Sequence, residues 1–148
     1  MTNSQLFALS DLTDVSPISG WQDFLHDGQG FLATASAAIS LKRKTFTAEI
    51  LYNLIAMAIE KFVMAALMRH GTMPYNHTMK DMVEAMDETF PAAINDFRDD
   101  LLKMDSYQEI CDLDGFKITP PEMSKITGML TIANKLEVLV THKLAPTQ

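Results

Sequence analysis

From Ile50 to Met68 the sequence is apolar on nearly every side of a helical wheel, broken only by Asn53, Glu60 and Lys61. The segment is rich in good helix formers, among them Leu51, Leu54, Ala58, Ala65 and Leu67. A helix with no polar half has no face to offer water, so other elements must surround it. The segment therefore predicts the central rod of an all-helical domain. Its polar interruptions keep it short of the roughly 18 uninterrupted apolar residues of a membrane span, so no membrane association is expected. Thr45 or Thr47 can cap its start, behind the basic turn Lys42-Arg43-Lys44, and Gly71 and Pro74 end it near Arg69.

The flanking sequence supplies the surrounding rods. Ile18, Trp21, Leu25, Gly28, Leu32, Ala35 and Ile39 recur in steps of three and four, with Phe24, Phe31 and Ala38 widening the stripe. Ser16 and Pro17 are placed to start that helix as N-cap and first helical residue. Gly28 and Gly30 inside it cost about 1 kcal/mol each relative to alanine, which implies either a close helix approach or a local bend. After Thr78, which opens a capping pattern with Asp81, the residues Met79, Met82, Val83, Met86 and Phe90 form one buried side, and Pro91 stops the helix. Ile94, Phe97, Leu101 and Met104 continue at helical spacing, and Ser106 to Cys111 is ambiguous. Thr119-Pro120-Pro121-Glu122 combines an N-cap, a first-turn proline and a capping-box glutamate. It precedes the stripe Met123, Ile126, Leu130, Ala133, Leu136 and Val140, which ends near His142 or Lys143. The pattern predicts an all-α, up-down antiparallel bundle of four main helices plus a shorter connecting helix.

At 148 residues the chain suits one domain, able to bury about 70% of its unfolded surface without crosslinks. Residues 1–15 lack periodicity and read as an N-terminal arm, and residues 16–148 as the bundle. Cys111 is the only cysteine. It reads as a small packing residue, and the absence of an intrachain disulfide points to a reducing, cytoplasmic setting. No basic segment followed by a long apolar run opens the chain, so no secretory signal is expected. The net charge of -7 opposes sequence-independent contact with phosphate backbones, so DNA is not an expected partner.

Helical bundles often hold metals, but no histidine here follows a glutamate at the Glu-x-x-His spacing of di-iron sites. One cysteine and scattered histidines offer no zinc set, and no metal or cofactor is expected. Phosphate-loop, nucleophile-elbow and dinucleotide fingerprints are also missing. The densest polar run joins the end of the central helix to the next start: Arg69-His70-Gly71-Thr72-Met73-Pro74-Tyr75-Asn76-His77. Arg69, His70, Asn76 and His77 are its candidate ligand residues, able to surround an anion or nucleotide near exposed N–H groups. The bland alternative is that Arg69 and His70 complement a helix C-terminus while Asn76 and His77 organise a cap. Glu49, Asn53 and Glu60, at spacings of four and seven, together with Lys61, are the candidate partner face.

The run Ala48 to Phe62 with its Glu60-Lys61 pair, continuing through Ala65-Ala66-Leu67 to Gly71 and then Asn76-His77-Thr78-Met79, resembles the two central helices of HEPN domains. Trp21 in a first amphipathic helix and the Ile118 to Glu122 opening of the last extend the resemblance over about residues 16 to 143. The resemblance implies an up-down bundle, homodimerisation through helix faces, and association with nucleotides, RNA or a nucleotidyltransferase partner. Many members of the family are metal-independent ribonucleases with an Arg-x4-6-His motif. Here seven residues separate Arg69 from His77, outside that spacing. The leading expectation is a non-catalytic, dimeric binding or interaction domain. The alternatives are a ribonuclease using Arg69 and His77, and a structural adaptor that offers the Glu49, Asn53, Glu60 face.

Overall fold

The computed structural model describes residues 16–105 and 121–146. Among them the protein is all-helical: α1 spans Trp21–Ser40, α2 Ala48–Arg69, α3 Met79–Thr89, α4 Arg98–Lys103 and α5 Met123–Leu139. A π-helical turn, Val140–Leu144, continues α5. The arm expected over residues 1–15, Cys111, Thr119 and the ambiguous stretch from Ser106 lie outside the described residues.

The apolar segment is indeed the central rod. α1, α3, α5 and the π turn all pack on α2, α1 also touches α5, and α4 packs on α3. Ile55, Ala58, Ile59, Phe62, Ala65, Ala66 and Leu67 have no exposed surface. By length and composition α2 is apolar enough to cross a membrane, and its buried residues run from Leu51 to Met68 within the protein's own core.

The ends of the rods follow local chemistry. Thr47 is the cap of α2, its hydroxyl accepting the Ile50 N–H at 3.3 Å. Its C-terminus closes by two bonds, Gly71 N–H to Met68 and Thr72 N–H to Leu67, around a left-handed Gly71 at φ 72°. This is the reverse turn that glycine makes at low cost. α1 stops the same way, with Lys42 N–H bonded to Ile39 and Arg43 N–H to Ala38. There Lys42 holds the left-handed position at φ 49°, so the basic turn Lys42-Arg43-Lys44 is an exposed helix stop.

Three boundaries differ from the sequence pattern. α1 begins at Trp21, four residues after the expected Pro17 start, with Gly20 rather than Ser16 in the cap position. The Ile18 N–H donates to the Met68 carbonyl at 2.7 Å, tying the chain before α1 to the end of α2. Gly20 at φ 93° then turns it into the helix. The fourth segment is helical only from Arg98. Pro91 to Phe97 forms successive turns, with Ala92 at φ 68°, yet Ile94 and Phe97 are still buried. α5 has Glu122 in the cap position, three residues beyond the expected Thr119, and makes no side-chain cap bond. Past Leu139 the backbone widens, and the Ala145 N–H reaches the Val140 carbonyl at 2.7 Å.

The two glycines of α1 have different reasons. A Cβ on Gly28 would stand 2.9 Å from Phe62 Cε1 and 3.1 Å from Lys61 Cβ, whereas one on Gly30 would meet nothing within 4 Å. Gly28 is the notch that admits the Phe62 ring, so the close approach of α1 and α2 accounts for it.

Candidate functional site

α2 leaves one polar strip uncovered. Glu49 lies exposed in its first turn, where a carboxylate complements the helix N-terminus. Asn53 is exposed and Glu60 half-buried farther along. Glu60 Oε1 lies 2.7 Å from His77 Nδ1, which joins the strip to the turn before α3. An ionised carboxylate can only accept, so Nδ1 carries the proton, and in the neutral ring Nε2 is left as an acceptor.

This pair stands at a cleft of about 270 Å³ between α2 and α3. Tyr52, Met79, Met82 and Met104 form its buried walls, with Asn53 and Met57 at the rim. The Tyr52 hydroxyl donates to the Met104 carbonyl at 3.1 Å, which fixes that wall against the end of α4. Asp105 closes the far side. Its two carboxylate oxygens accept the Met79 and Lys80 N–H groups, each at 2.9 Å. The Thr78 hydroxyl accepts the Asp81 N–H at 3.1 Å, the cap foreseen from sequence.

Those three bonds change the chemistry expected of this turn. The first N–H groups of a helix are an anion site only while they are free. At α3 the Met79, Lys80 and Asp81 groups are all held by the protein's own acceptors, and the Met82 N–H already bonds to the Thr78 carbonyl. The N-terminus of α3 has no open place for a phosphate.

Nor do the candidate ligand residues converge. The Arg69 guanidinium lies over the Trp21 ring, 5.7 Å from its centroid, and so faces α1. Arg69 is nine residues beyond Glu60, half a rotation around α2 and about 14 Å along its axis. His70 turns to a third place: its Nε2–H donates to the Leu144 carbonyl at 2.9 Å, and its ring meets Phe90 edge-on at 4.7 Å. Asn76 is exposed. Of the four, His77 alone lines the cleft. The partner face divides as well, since Lys61 Nζ sits 4.4 Å above the Phe24 ring on the α1 side, away from Glu60.

Sequence reasoning missed Asp105, Tyr52 and Met104 as cleft residues. Asp105 lies 26 residues after the N–H it caps, and no local pattern signals such a partner. Elsewhere Arg98 makes a two-pronged bond to Asp87 that fastens the start of α4 to α3. A wider groove of about 500 Å³ near α4 and α5 carries mixed charge from Asp100, Lys103 and Lys125. Among the described residues, no group of three or more His, Cys, Asp or Glu side chains is placed to hold a metal ion. Compared with family models, with characterised proteins and with solved structures, the chain finds no match in any of the three.

Proposed function

We propose that this chain is a non-catalytic binding domain of HEPN-like design, an up-down antiparallel bundle that takes its ligand in the α2–α3 cleft beside Glu60 and His77. The bundle reading is supported by the short connections between α1, α2 and α3 and by the packing of these consecutive helices on one another. The observation that carries the functional reading is the 2.7 Å bond from His77 to Glu60, with Arg69 turned away onto Trp21. Cleaving an RNA phosphodiester needs a base and a stabilising cation at the same bond. The imidazole here is matched with a carboxylate instead, and the cleft around it is walled by methionine, a side chain that adapts to partners.

Incubating total RNA with the wild type and with His77→Ala should leave the RNA intact in both cases. Fragmentation by the wild type that disappears in the variant would restore the ribonuclease reading. In thermal shift, a true ligand at 100 times its Kd should stabilise the wild type by about 2.7 kcal/mol.

Homodimerisation belongs to the same reading. Met123 and Val138 on α5 are large apolar side chains left uncovered by the fold. Sedimentation equilibrium should return twice the 16.5 kDa of the chain, and Val138→Lys should shift that mass towards the monomer. A wild type that sediments as a monomer at micromolar concentration removes the dimer from the proposal.

A further inference from the structure

Among the described residues, no lysine or arginine lines the cleft, although Glu60 and Asp105 do. Asp105 is committed to the α3 N–H groups, so its charge is already met by a helix terminus. Glu60 differs. Among the described residues its partner is the exposed His77, and in the neutral ring Nδ1–H donates while Nε2 remains an acceptor. Asn53 adds a side-chain amide, both acceptor and donor, at the rim. The polar groups that a ligand would meet are thus rich in acceptors and carry negative charge.

Shape narrows the class further. About 270 Å³ is below the usual range for pockets that enclose a drug-sized ligand, and suits one side chain. A basic side chain laid across the cleft can rest its alkyl stem on Met79, Met82 and Met104 and keep its charged end with the acceptors at the rim. From the rim outward, α2 exposes Met57 and Ile50, seven residues apart and therefore on one face with Asn53. A free amine would leave that apolar strip uncovered, whereas a polypeptide carrying the basic group would cover it.

Resting on the reading of this cleft as the binding site, we infer that it receives the guanidinium or ammonium end of a basic side chain presented by a protein partner. Charge complementarity selects the end group, and the Ile50–Met57 strip selects a peptide over a small molecule. The negative charge of the whole chain, -7, adds long-range attraction for such a partner.

The test uses the full chain and pools of blocked pentapeptides with a fixed central residue and random flanks. The central residue is arginine, lysine, citrulline or glutamate. The arginine and lysine pools should bind at least about tenfold tighter than the citrulline pool, since a hydrogen bond to a charged group is worth that factor. Glu60→Gln, checked for an unchanged unfolding curve, should erase the difference. Equal binding of the citrulline or glutamate pools would overturn the inference, and so would a preference that survives Glu60→Gln. Spermidine or argininamide binding as tightly as the peptides would overturn the protein partner. If AMP, ATP or single-stranded RNA binds instead and Glu60→Gln abolishes it, the cleft stands as the binding site and the basic side chain falls. If no peptide and no nucleotide binds, the binding-domain reading falls with it.

Discussion

Phe62→Ala should lower the stability of the fold by about 3–5 kcal/mol, the usual cost of emptying a fully buried aromatic position. For a chain of this length that is roughly 2–4 °C of Tm per kcal/mol. Phe62 has no exposed surface and fills the notch left by Gly28, where α1 and α2 come closest. The same contact sets the sign of a smaller change. Gly28→Ala gains about 1 kcal/mol of helix propensity, but its Cβ would lie 2.9 Å from a ring that is walled in on every side. Overpacking of that kind costs about 1–3 kcal/mol, so the net effect should be destabilising. Gly30→Ala, whose Cβ meets nothing, should stabilise by about 1 kcal/mol. In the Phe62→Ala background Gly28→Ala should lose most of its cost, giving a coupling energy of about 0.5–3 kcal/mol in a double-mutant cycle. Urea unfolding of the four proteins measures it. Equal, additive stabilisation by both alanines would mean that α1 and α2 do not touch at this notch.

Much of this architecture was legible in the residues because the signals are local and repeated. A helix apolar on all sides has one place to go, and α2 goes there. Trp21, Leu25, Gly28, Leu32 and Ala35 are buried as their spacing requires, and Thr47 and Thr78 cap as their hydroxyls allow. One boundary that differs is tied to a distant partner. Ser16 and Pro17 carry the local marks of a helix start, but the bond from Ile18 to Met68, 50 residues away, ties that segment to the end of α2, and it stays outside the helix. The helix stops before Pro91 as expected, but the run of turns after it keeps Ile94 and Phe97 buried without a helix, a burial pattern that helical spacing imitates.

The site was less legible, for a related reason. Arg69, His70, Asn76 and His77 are neighbours in sequence, and proximity along the chain suggested proximity in space. A helix end followed by a reverse turn sends adjacent side chains to different sides. Arg69 goes to Trp21, His70 to Leu144, and His77 back along α2 to Glu60. The pairing that matters joins one residue from each proposed group, Glu60 from the partner face and His77 from the turn. Neither residue type is rare enough to announce it. Asp105 was invisible because a carboxylate that caps a helix from outside its own segment leaves no spacing to read.

That division of the histidines has a measurable consequence. His70→Ala should destabilise the protein by about 1–3 kcal/mol, because it leaves the part-buried Leu144 carbonyl without its His70 donor and strips the edge contact from Phe90. His77→Ala should cost less than about 1 kcal/mol, since its hydrogen bond to Glu60 is largely exposed to solvent. Urea midpoints separate the two, with the slope unchanged if neither variant alters the unfolded chain. Hydrogen exchange localises the effect: the Ala145 N–H, bonded to Val140 across the π turn, should exchange faster in His70→Ala, because His70 is the side chain that ties this turn to the end of α2. In His77→Ala its protection should match the wild type. A large stability loss from His77→Ala with little from His70→Ala would invert the roles, making the Glu60 pair a structural clamp and leaving the cleft without its ligand-facing imidazole.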